Sequence, residues 1–137
     1  MSNRPNMNAT LELKDALRAE TSVENTVQLL RALADPNRLR IVNLLLYREE
    51  LCVCDIERVL GMTQTKVSRH LTILRNAGLV RARRDSRWMY YRLQADSELK
   101  HALFALLRES GCCVSECTAD LAALEQGGCA VDGGSCI

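Results

Sequence analysis

Two cysteines separated by one residue, Cys52 and Cys54, stand where the sequence predicts the first turn of a helix. A helix N-terminus carries partial positive charge and unpaired amide groups, which favour the thiolate form of a cysteine placed there. Thiolates are the ligands that soft metal ions and trivalent arsenic require. The alternative role is packing, because cysteine is a small side chain that fits well in a core. Two thiols within one helical turn favour the ligand site.

A second group, Cys112, Cys113 and Cys117, places three thiols in a short segment of predicted loop and helix. Three thiolates form a trigonal ligand set that needs no other part of the chain. Packing is again the alternative for Cys117, because it falls on an apolar stripe with Leu121 and Leu124. The sequence does not decide between this group and the first pair.

The remaining cysteines, Cys129 and Cys136, fall in a glycine-rich tail, where they either close over one of the two groups or have no role. Zinc is a weaker ligand candidate than arsenic, because structural zinc normally takes four ligands that often include histidine. The chain has two histidines, His70 and His101.

The sequence indicates a cytoplasmic protein. Residues 1–11 lack the apolar segment of a secretory signal, and no apolar run approaches the ~20 residues that span a membrane. Seven cysteines in a reducing compartment, an odd number, argue against a disulfide framework and for metal, metalloid or redox roles. We therefore expect no membrane partner.

Helices must position the cysteine pair, because apolar residues spaced three or four apart, which is the helical period, recur through most of the chain. The pattern predicts a helix over residues 23–34, with a buried face made of Val27, Leu30, Leu33 and Ala34. Asp35 and Pro36 give the N-cap and first residue of a second helix that ends near residue 47. Its predicted buried residues are Leu39, Val42, Leu45 and Leu46.

The next two helices form a helix-turn-helix. Cys52 is the predicted N-cap of the third helix, which Gly61 ends. Thr63 caps a fourth helix over residues 64–77, whose predicted buried face is Val67, Leu71 and Leu74. In such a pair, the second helix is the one that enters the major groove of DNA.

Two strand-like runs, residues 79–83 and 88–93, flank a predicted turn over residues 84–87 and form a hairpin with arginine at its tip. Further helices are predicted over residues 97–109 and around residues 114–124. The fold class is therefore mainly α-helical with a small β-hairpin wing, which is a winged helix-turn-helix.

Basic residues cluster in this part of the chain although the net charge is only +1. Between residues 62 and 92, one acid, Asp85, faces eight basic residues, namely Lys66, Arg69, Arg75, Arg81, Arg83, Arg84, Arg87 and Arg92. Such a local basic block is typical of a surface that binds phosphates.

The fourth helix and the wing supply the candidate DNA contacts. For base edges we name Gln64, Thr65, Ser68 and Arg69, and for phosphates or the minor groove Lys66, Arg83, Arg84 and Arg87. His70 lies at the edge of the apolar stripe, so that a half-buried structural role and a DNA contact both remain open.

The chain resembles the ArsR/SmtB family of metal- and metalloid-sensing bacterial repressors, and its arsenic branch in particular. The resemblance spans residues 23–110 and depends on four segments, residues 32–40, 50–55, 67–71 and 88–93. It implies a homodimer that binds operator DNA when empty. It also implies release of that DNA when arsenite or antimonite binds cysteine thiolates, with no constitutive cofactor. The first and fifth helices carry enough apolar surface to form the dimer interface, and packing within one subunit is the competing use of that surface.

One residue departs from the family pattern. Members of the arsenic branch commonly carry a third cysteine one turn after the second, and this chain has Glu57 there. A complete three-thiolate site therefore cannot form from the third helix alone. Vicinal cysteines with a third nearby, as in Cys112, Cys113 and Cys117, resemble an alternative inducer site of some arsenic-responsive members.

Periodicity and composition also predict an organisation of the chain into three regions. We expect a mobile arm over residues 1–20 and a DNA-binding and dimerisation domain over residues 21–110. A partly flexible extension that contains cysteines follows over residues 111–137.

Three other functions compete with the arsenic-responsive repressor. The first is a thiol redox or persulfide sensor of the same fold, in which Cys112 or Cys113 forms a disulfide. The second is a repressor that responds to zinc or cadmium. The third is a thiol enzyme or metalloid chaperone, which would leave the basic helix and wing without a purpose. We expect no enzyme, because no pair of nucleophile and base is evident.

Overall fold

The computed structural model describes residues 22–111 and 115–127. This part of the chain contains six helices and a three-stranded sheet. In chain order the elements are α1 (Val23–Leu33), α2 (Pro36–Tyr47), β1 (Leu51–Cys52), α3 (Val53–Leu60), α4 (Gln64–Asn76), β2 (Val80–Asp85), β3 (Trp88–Leu93), α5 (Glu98–Gly111) and α6 (Ser115–Glu125). Among these residues, no helix has the length and apolar character that crossing a membrane requires.

Side-chain caps start α2 and α4 where the sequence predicts them, whereas Cys52 is the N-cap residue of α3 without a side-chain cap bond. Asp35 Oδ2 accepts from the amides of Asn37 and Arg38, both at 3.0 Å, and caps α2. Thr63 accepts from the amide of Lys66 at 3.3 Å and caps α4. Gly61 ends α3 with a φ of 64°, a conformation that glycine adopts without a steric penalty. The predicted helix-turn-helix is confirmed.

The core lies where α2, α3 and α4 meet the sheet. Val67, Leu71 and Leu74 of α4 are fully buried, as the sequence predicts. They pack with other fully or nearly fully buried apolar side chains, namely Ile41, Val42, Leu44, Ile56, Leu79 and Val80.

The predicted buried face of α1 is partly wrong. The structure buries Leu29, Ala32 and Leu33, whereas Val27 and Leu30 are 39% and 47% exposed. The reason is that α1 carries two apolar stripes, and the sequence does not reveal which one faces the core of its own subunit. In α2 the buried set is likewise shifted to Ile41, Val42, Leu44 and Leu45, while Leu39 and Leu46 are half-buried.

The hairpin wing is confirmed, but its turn is shorter than predicted. β2 and β3 pair in antiparallel register from Val80 opposite Leu93 to Asp85 opposite Trp88. Only residues 86 and 87 form the turn, and Ser86 has a φ of 61°. Arg84 therefore lies within a strand rather than in the turn, because the β-ladder continues past the apolar residues that reveal a strand in the sequence.

A third strand, β1, was not predicted. Leu51 pairs with Tyr91 and Cys52 pairs with Tyr90, which adds β1 to the free edge of β3. Two residues are too short for the alternation of apolar and polar side chains that marks a strand. The pairing holds the beginning of α3 against the wing.

The helix α6 folds back onto α2 and α3. Arg40 donates from Nε and Nη2 to the two carboxylate oxygens of Asp120, both at 2.9 Å, and Asp120 is buried. Arg58 of α3 donates from Nη1 to the carbonyl oxygen of Ala123 at 3.0 Å, and the Tyr47 hydroxyl donates to the Glu125 carboxylate. These bonds fix part of the predicted extension to the domain.

We predict that Asp120→Asn lowers the free energy of unfolding by about 1–2 kcal/mol, because a half-buried Arg40 loses its paired carboxylate. Urea unfolding at neutral pH measures this change. The matched control is Glu49→Gln, which removes an ion pair with Arg92 at 3.0 Å at a position that is 83% exposed, and we expect little change there. Equal effects of the two substitutions would contradict the assigned role of Asp120.

Candidate DNA interface and the adjoining cysteine pair

One face of α4 is exposed and polar over its whole first half. Five predicted DNA contacts stand on it with exposed side chains, namely Gln64, Thr65, Lys66, Ser68 and Arg69. Burial of Val67, Leu71 and Leu74 on the opposite side sets this orientation. The structure thus brings these five residues together on a helix whose exposed face is suited to the major groove.

The wing places its arginines in two different environments. Arg84 and Arg87 are exposed, and the Arg87 guanidinium lies 5.2 Å from the centre of the Trp88 ring. Arg83 instead donates to both carboxylate oxygens of Glu50, at 2.7 and 3.0 Å, and lies 4.7 Å from the centre of the Tyr90 ring. These bonds hold the pKa of Glu50 below its usual range. A phosphate would therefore have to compete with Glu50 for Arg83.

His70 lies on α4 but faces the other helices. Its Nδ1 is 3.5 Å from Nη1 of Arg38 and 4.0 Å from Oδ2 of Asp35, and the side chain is 15% exposed. Burial lowers the pKa of His70, the Asp35 carboxylate opposes this shift, and the cationic Arg38, Arg69 and Lys66 add to it. Of the two roles that the sequence left open, these contacts favour the structural one.

The cysteine pair occupies the junction of β1 and α3. Cys52 is the N-cap residue of α3 and is almost completely buried, and Cys54 is half-buried. Their Cα atoms are 5.4 Å apart, and their sulfurs are joined in a disulfide. The sequence predicted two thiolates here, and the disulfide is the oxidised form of that pair. A soft ligand requires the reduced form, in which both sulfurs are close enough to bind one atom.

An acidic side chain adjoins the pair. The Asp55 carboxylate lies 3.5 Å from Cys52 Sγ, so that a reduced thiol there would donate to it, whereas the disulfide sulfur has no proton to donate. Arg58 in turn donates to Asp55 at 3.4 Å. Asp55 is therefore held between the cysteine pair and Arg58.

A cleft of about 280 Å³ joins the cysteine pair to the DNA-facing residues. Its walls come from the start of α3, the exposed face of α4 and the wing, namely Cys52, Val53, Cys54, Glu57, Gln64, Ser68, Arg87, Trp88, Met89 and Tyr91. Burial raises the pKa of Glu57, which stands where the family pattern has its third cysteine. Sequence reasoning missed this cleft, because its walls meet only through the pairing of β1 with β3.

Of the other predicted cysteine ligands, only Cys117 lies within the described residues. Cys117 is buried in α6 beside the Arg40–Asp120 pair, and burial raises the pKa of its thiol. The predicted ligands Cys112 and Cys113, like Cys129 and Cys136, lie outside the described residues. Within residues 22–111 and 115–127, no group of three or more His, Cys, Asp or Glu side chains is arranged to hold a metal ion.

Comparison with known proteins gives one matching family. Residues 35–82 match the family described as bacterial regulatory protein, arsR family. The arsenical resistance operon repressor of Escherichia coli K12 is 49% identical over 67 residues, which are 49% of this chain and 57% of the relative. The protein of the same name from Bacillus subtilis 168 is 40% identical over 87 residues, 64% of this chain and 78% of the relative. The chain thus spans less than two thirds of the Escherichia coli repressor.

A solved structure agrees with the fold. The homodimeric winged helix-turn-helix DNA-binding domain Mb0332 from Mycobacterium bovis, described as a possible ArsR-family transcriptional regulator, superposes with a TM-score of 0.57 at 35% identity. The superposition covers 67% of this chain and 82% of that domain. The winged helix-turn-helix fold class is confirmed.

We predict that the protein loses stability as the pH falls from 7.5 to 5.5, in part through His70. Its pKa is lower in the folded protein than the value near 6.5 of an unfolded chain, so that the unfolded state binds the proton more tightly. This contribution is present above the unfolded pKa and is lost below it. Urea unfolding at several pH values should show a weaker pH dependence for His70→Gln than for the unaltered protein. Identical curves for His70→Gln and the unaltered protein would contradict the shift.

Proposed function

Because the chain belongs to the arsenic branch of the ArsR family of bacterial regulatory proteins, we propose that it is a metalloid-responsive repressor that binds operator DNA as a homodimer. Trivalent arsenic or antimony, bound to the thiolates of Cys52 and Cys54, releases the DNA. Members of this family are DNA-binding transcriptional regulators and not enzymes. Operator binding places the protein with the bacterial chromosome in the cytoplasm.

The observation that carries this proposal is the shared cleft. Both cysteines line the same cleft as Gln64 and Ser68 of the recognition helix and Arg87 of the wing. A ligand attached to the two sulfurs would lie against side chains that are candidates for contact with DNA. Ligand binding and DNA binding would then compete through shared residues as well as through movement of α3.

The chemistry follows from the pair. Arsenious acid bonds to each reduced cysteine by losing one hydroxyl, which leaves as water with the thiol proton, so two arsenic–sulfur bonds release two waters. The third position keeps a hydroxyl or, in an organic arsenical, a carbon substituent. The disulfide must first accept two electrons and two protons from a cellular dithiol. Partial positive charge at the N-terminus of α3 favours loss of the proton from the resulting thiols, whereas the Asp55 carboxylate, 3.5 Å from Cys52 Sγ, opposes it at that residue.

Polar contacts connect the pair to the rest of the domain. Asp55 lies between Cys52 and Arg58, and Arg58 also holds α6 through the carbonyl oxygen of Ala123. Movement at the start of α3 would therefore reach α6 as well as α4. Converting a repressor that is 99% DNA-competent to one that is 1% competent requires about 5.5 kcal/mol of differential ligand affinity. Two covalent arsenic–sulfur bonds could supply this difference in ligand affinity.

The choice between the two cysteine groups rests on position in the fold. Cys52 and Cys117 are both almost completely buried, but Cys52 and the half-buried Cys54 line the cleft beside the recognition helix, whereas Cys117 lies against the Arg40–Asp120 ion pair. A ligand at Cys117 would first have to displace α6. The pair on α3 is therefore our proposed inducer site.

Dimer formation accounts for the exposed apolar stripe of α1. Val23, Val27 and Leu30 are 79%, 39% and 47% exposed, and they share one face of the helix because they are four and three residues apart. A two-fold dimer would set two recognition helices about one DNA turn apart, ~34–36 Å, over a pseudo-palindromic operator.

A redox sensor is the second candidate, because the structure joins Cys52 and Cys54 in a disulfide. A peroxide would take two electrons and two protons from the pair and leave as two molecules of water or of water and an alcohol. Release of DNA by peroxide, together with no release by arsenite, would favour this function over the first.

We predict that Cys52→Ser/Cys54→Ser still binds operator DNA but no longer responds to arsenite, because serine forms no arsenic–sulfur bond. In a mobility-shift assay on the DNA upstream of its own gene, the arsenite concentration for half-release should rise at least about tenfold, which corresponds to 1.4 kcal/mol. Cys117→Ala is the matched control and should respond normally. Normal release from the double variant would show that the inducer site lies elsewhere.

We also predict that Val27→Glu weakens the dimer, because it places a charge in the apolar stripe of α1. Sedimentation equilibrium should show a larger monomer fraction, and DNA affinity should fall with it. Gln28→Glu adds the same charge at an exposed position beside the stripe and should leave the dimer unchanged. A stable Val27→Glu dimer would exclude this face as the interface.

A further inference from the structure

Three side chains join α1, α2 and α4 at one point. The Arg38 guanidinium donates from Nε to the carbonyl oxygen of Ala32 at 2.6 Å and from Nη2 to that of Arg31 at 3.3 Å. Both carbonyls belong to the last turn of α1, where a helix leaves acceptors without intrahelical i+4 partners, and the Arg31 oxygen also accepts from the Ala34 amide at 3.2 Å. Arg38 therefore caps α1, and its remaining nitrogen, Nη1, lies 3.5 Å from Nδ1 of His70 on α4.

Asp35 belongs to the same junction. One carboxylate oxygen accepts from the two amides that begin α2, and the same oxygen lies 4.0 Å from Nδ1 of His70. The end of α1 and the middle of α4 thus meet at Arg38, which contacts the carbonyl oxygens of α1 and the ring of His70, and Asp35 adjoins the same point at the start of α2. The side chains of His70 and Asp35 are only 15% and 28% exposed, which strengthens such contacts relative to those in open solvent.

We propose that Asp35, Arg38 and His70 form a joint that sets the angle between α1 and the recognition helix, and that His70 is a positioning residue for DNA binding rather than a DNA contact. This inference rests on the proposed operator binding and adds a residue role to it. The helix α1 carries the apolar stripe that we assign to the dimer. The angle between α1 and α4 therefore controls how two recognition helices are spaced across the two-fold axis.

The geometry makes this spacing sensitive to small changes. The 13 residues of α4 extend about 20 Å at 1.5 Å per residue. A tilt of roughly 10° about one end would displace the other end by about 3 Å, which is comparable to the rise between successive base pairs of DNA. A joint near the middle of α4 limits such a tilt.

The contact between Arg38 and His70 selects one tautomer of the ring. Arginine has donors and no acceptor, so a hydrogen bond across the 3.5 Å between Arg38 Nη1 and His70 Nδ1 requires the neutral ring with its proton on Nε2. Burial also disfavours the charged ring, and its neighbours include the cationic Arg38, Arg69 and Lys66 as well as the anionic Asp35. A neutral substitution at His70 therefore removes no positive charge from the DNA-facing side near neutral pH.

Salt dependence separates a positioning residue from a phosphate contact. We would measure affinity by fluorescence anisotropy on duplex DNA from upstream of the gene, at several salt concentrations and pH 7.5, for His70→Gln and Arg38→Lys. Arg38→Lys keeps the charge but loses the planar fork that reaches three partners. Each variant should bind roughly three- to thirtyfold more weakly. The slope of log affinity against log salt should be unchanged, because no phosphate contact is lost.

Arg69→Gln is the matched control on the same helix, because Arg69 is exposed. It should also weaken binding, but with a salt slope that is smaller by about 1. The variant carrying both His70→Gln and Arg38→Lys should bind about as well as the weaker single variant, because both changes break the same joint. Unchanged affinity of His70→Gln, or a reduced salt slope like that of Arg69→Gln, would overturn the proposal.

Two further measurements keep the test independent of folding and of DNA. Thermal unfolding of each variant reports whether it folds. If Arg38→Lys does not fold, the affinity and salt slope of His70→Gln alone decide whether His70 is a positioning residue. Amide resonances of residues 31–34 should shift in His70→Gln and remain in place in Arg69→Gln. If those resonances do not move, the joint does not exist. If they move but the unaltered protein does not bind the DNA, the proposed operator binding fails instead.

Discussion

The complete burial of Val67, Leu71 and Leu74 is the constraint on which the DNA-facing surface depends. Three side chains on one side of α4 fix the rotation of the helix about its own axis. Because successive residues are 100° apart, this rotation turns Thr65, Ser68 and Arg69 toward solvent. A helix with fewer buried apolar side chains could rotate about its axis, and the candidate DNA-contacting residues would lose their common orientation.

The cysteine pair depends on a different constraint, the two residue pairs between β1 and β3. The ladder sets Cys52 opposite Tyr90 and thereby brings the beginning of α3 against the wing. Without it, the pair would lie near the recognition helix in sequence but would have no wall of wing residues beside it. One cleft thus joins two groups of residues that the sequence presents as separate motifs.

Features that depend on neighbouring residues were predicted from the sequence. Asp35, Thr63 and Gly61 act within a few residues of their own positions, so that the helix-turn-helix could be located before any contact was known. Features that depend on distant partners were not. Contacts between residues far apart in the sequence determine three such features, namely the core-facing side of α1, the strand β1 and the bond of Arg83 to Glu50. The proposed inducer and dimer came from the resemblance to a family, because the periodicity of apolar residues carries no information about either.

Sharing of one cleft by the cysteines and the DNA-facing residues gives the proposed response its own time scale. If bound DNA covers the cleft, the inducer captures repressor that has already left the operator and does not strip repressor from it. Derepression can then proceed no faster than spontaneous dissociation, however much arsenite enters the cell. Linkage also requires that DNA lowers affinity for the inducer by the same factor as the inducer lowers affinity for DNA. The concentration at which the gene switches on therefore depends on how many operators compete for the repressor.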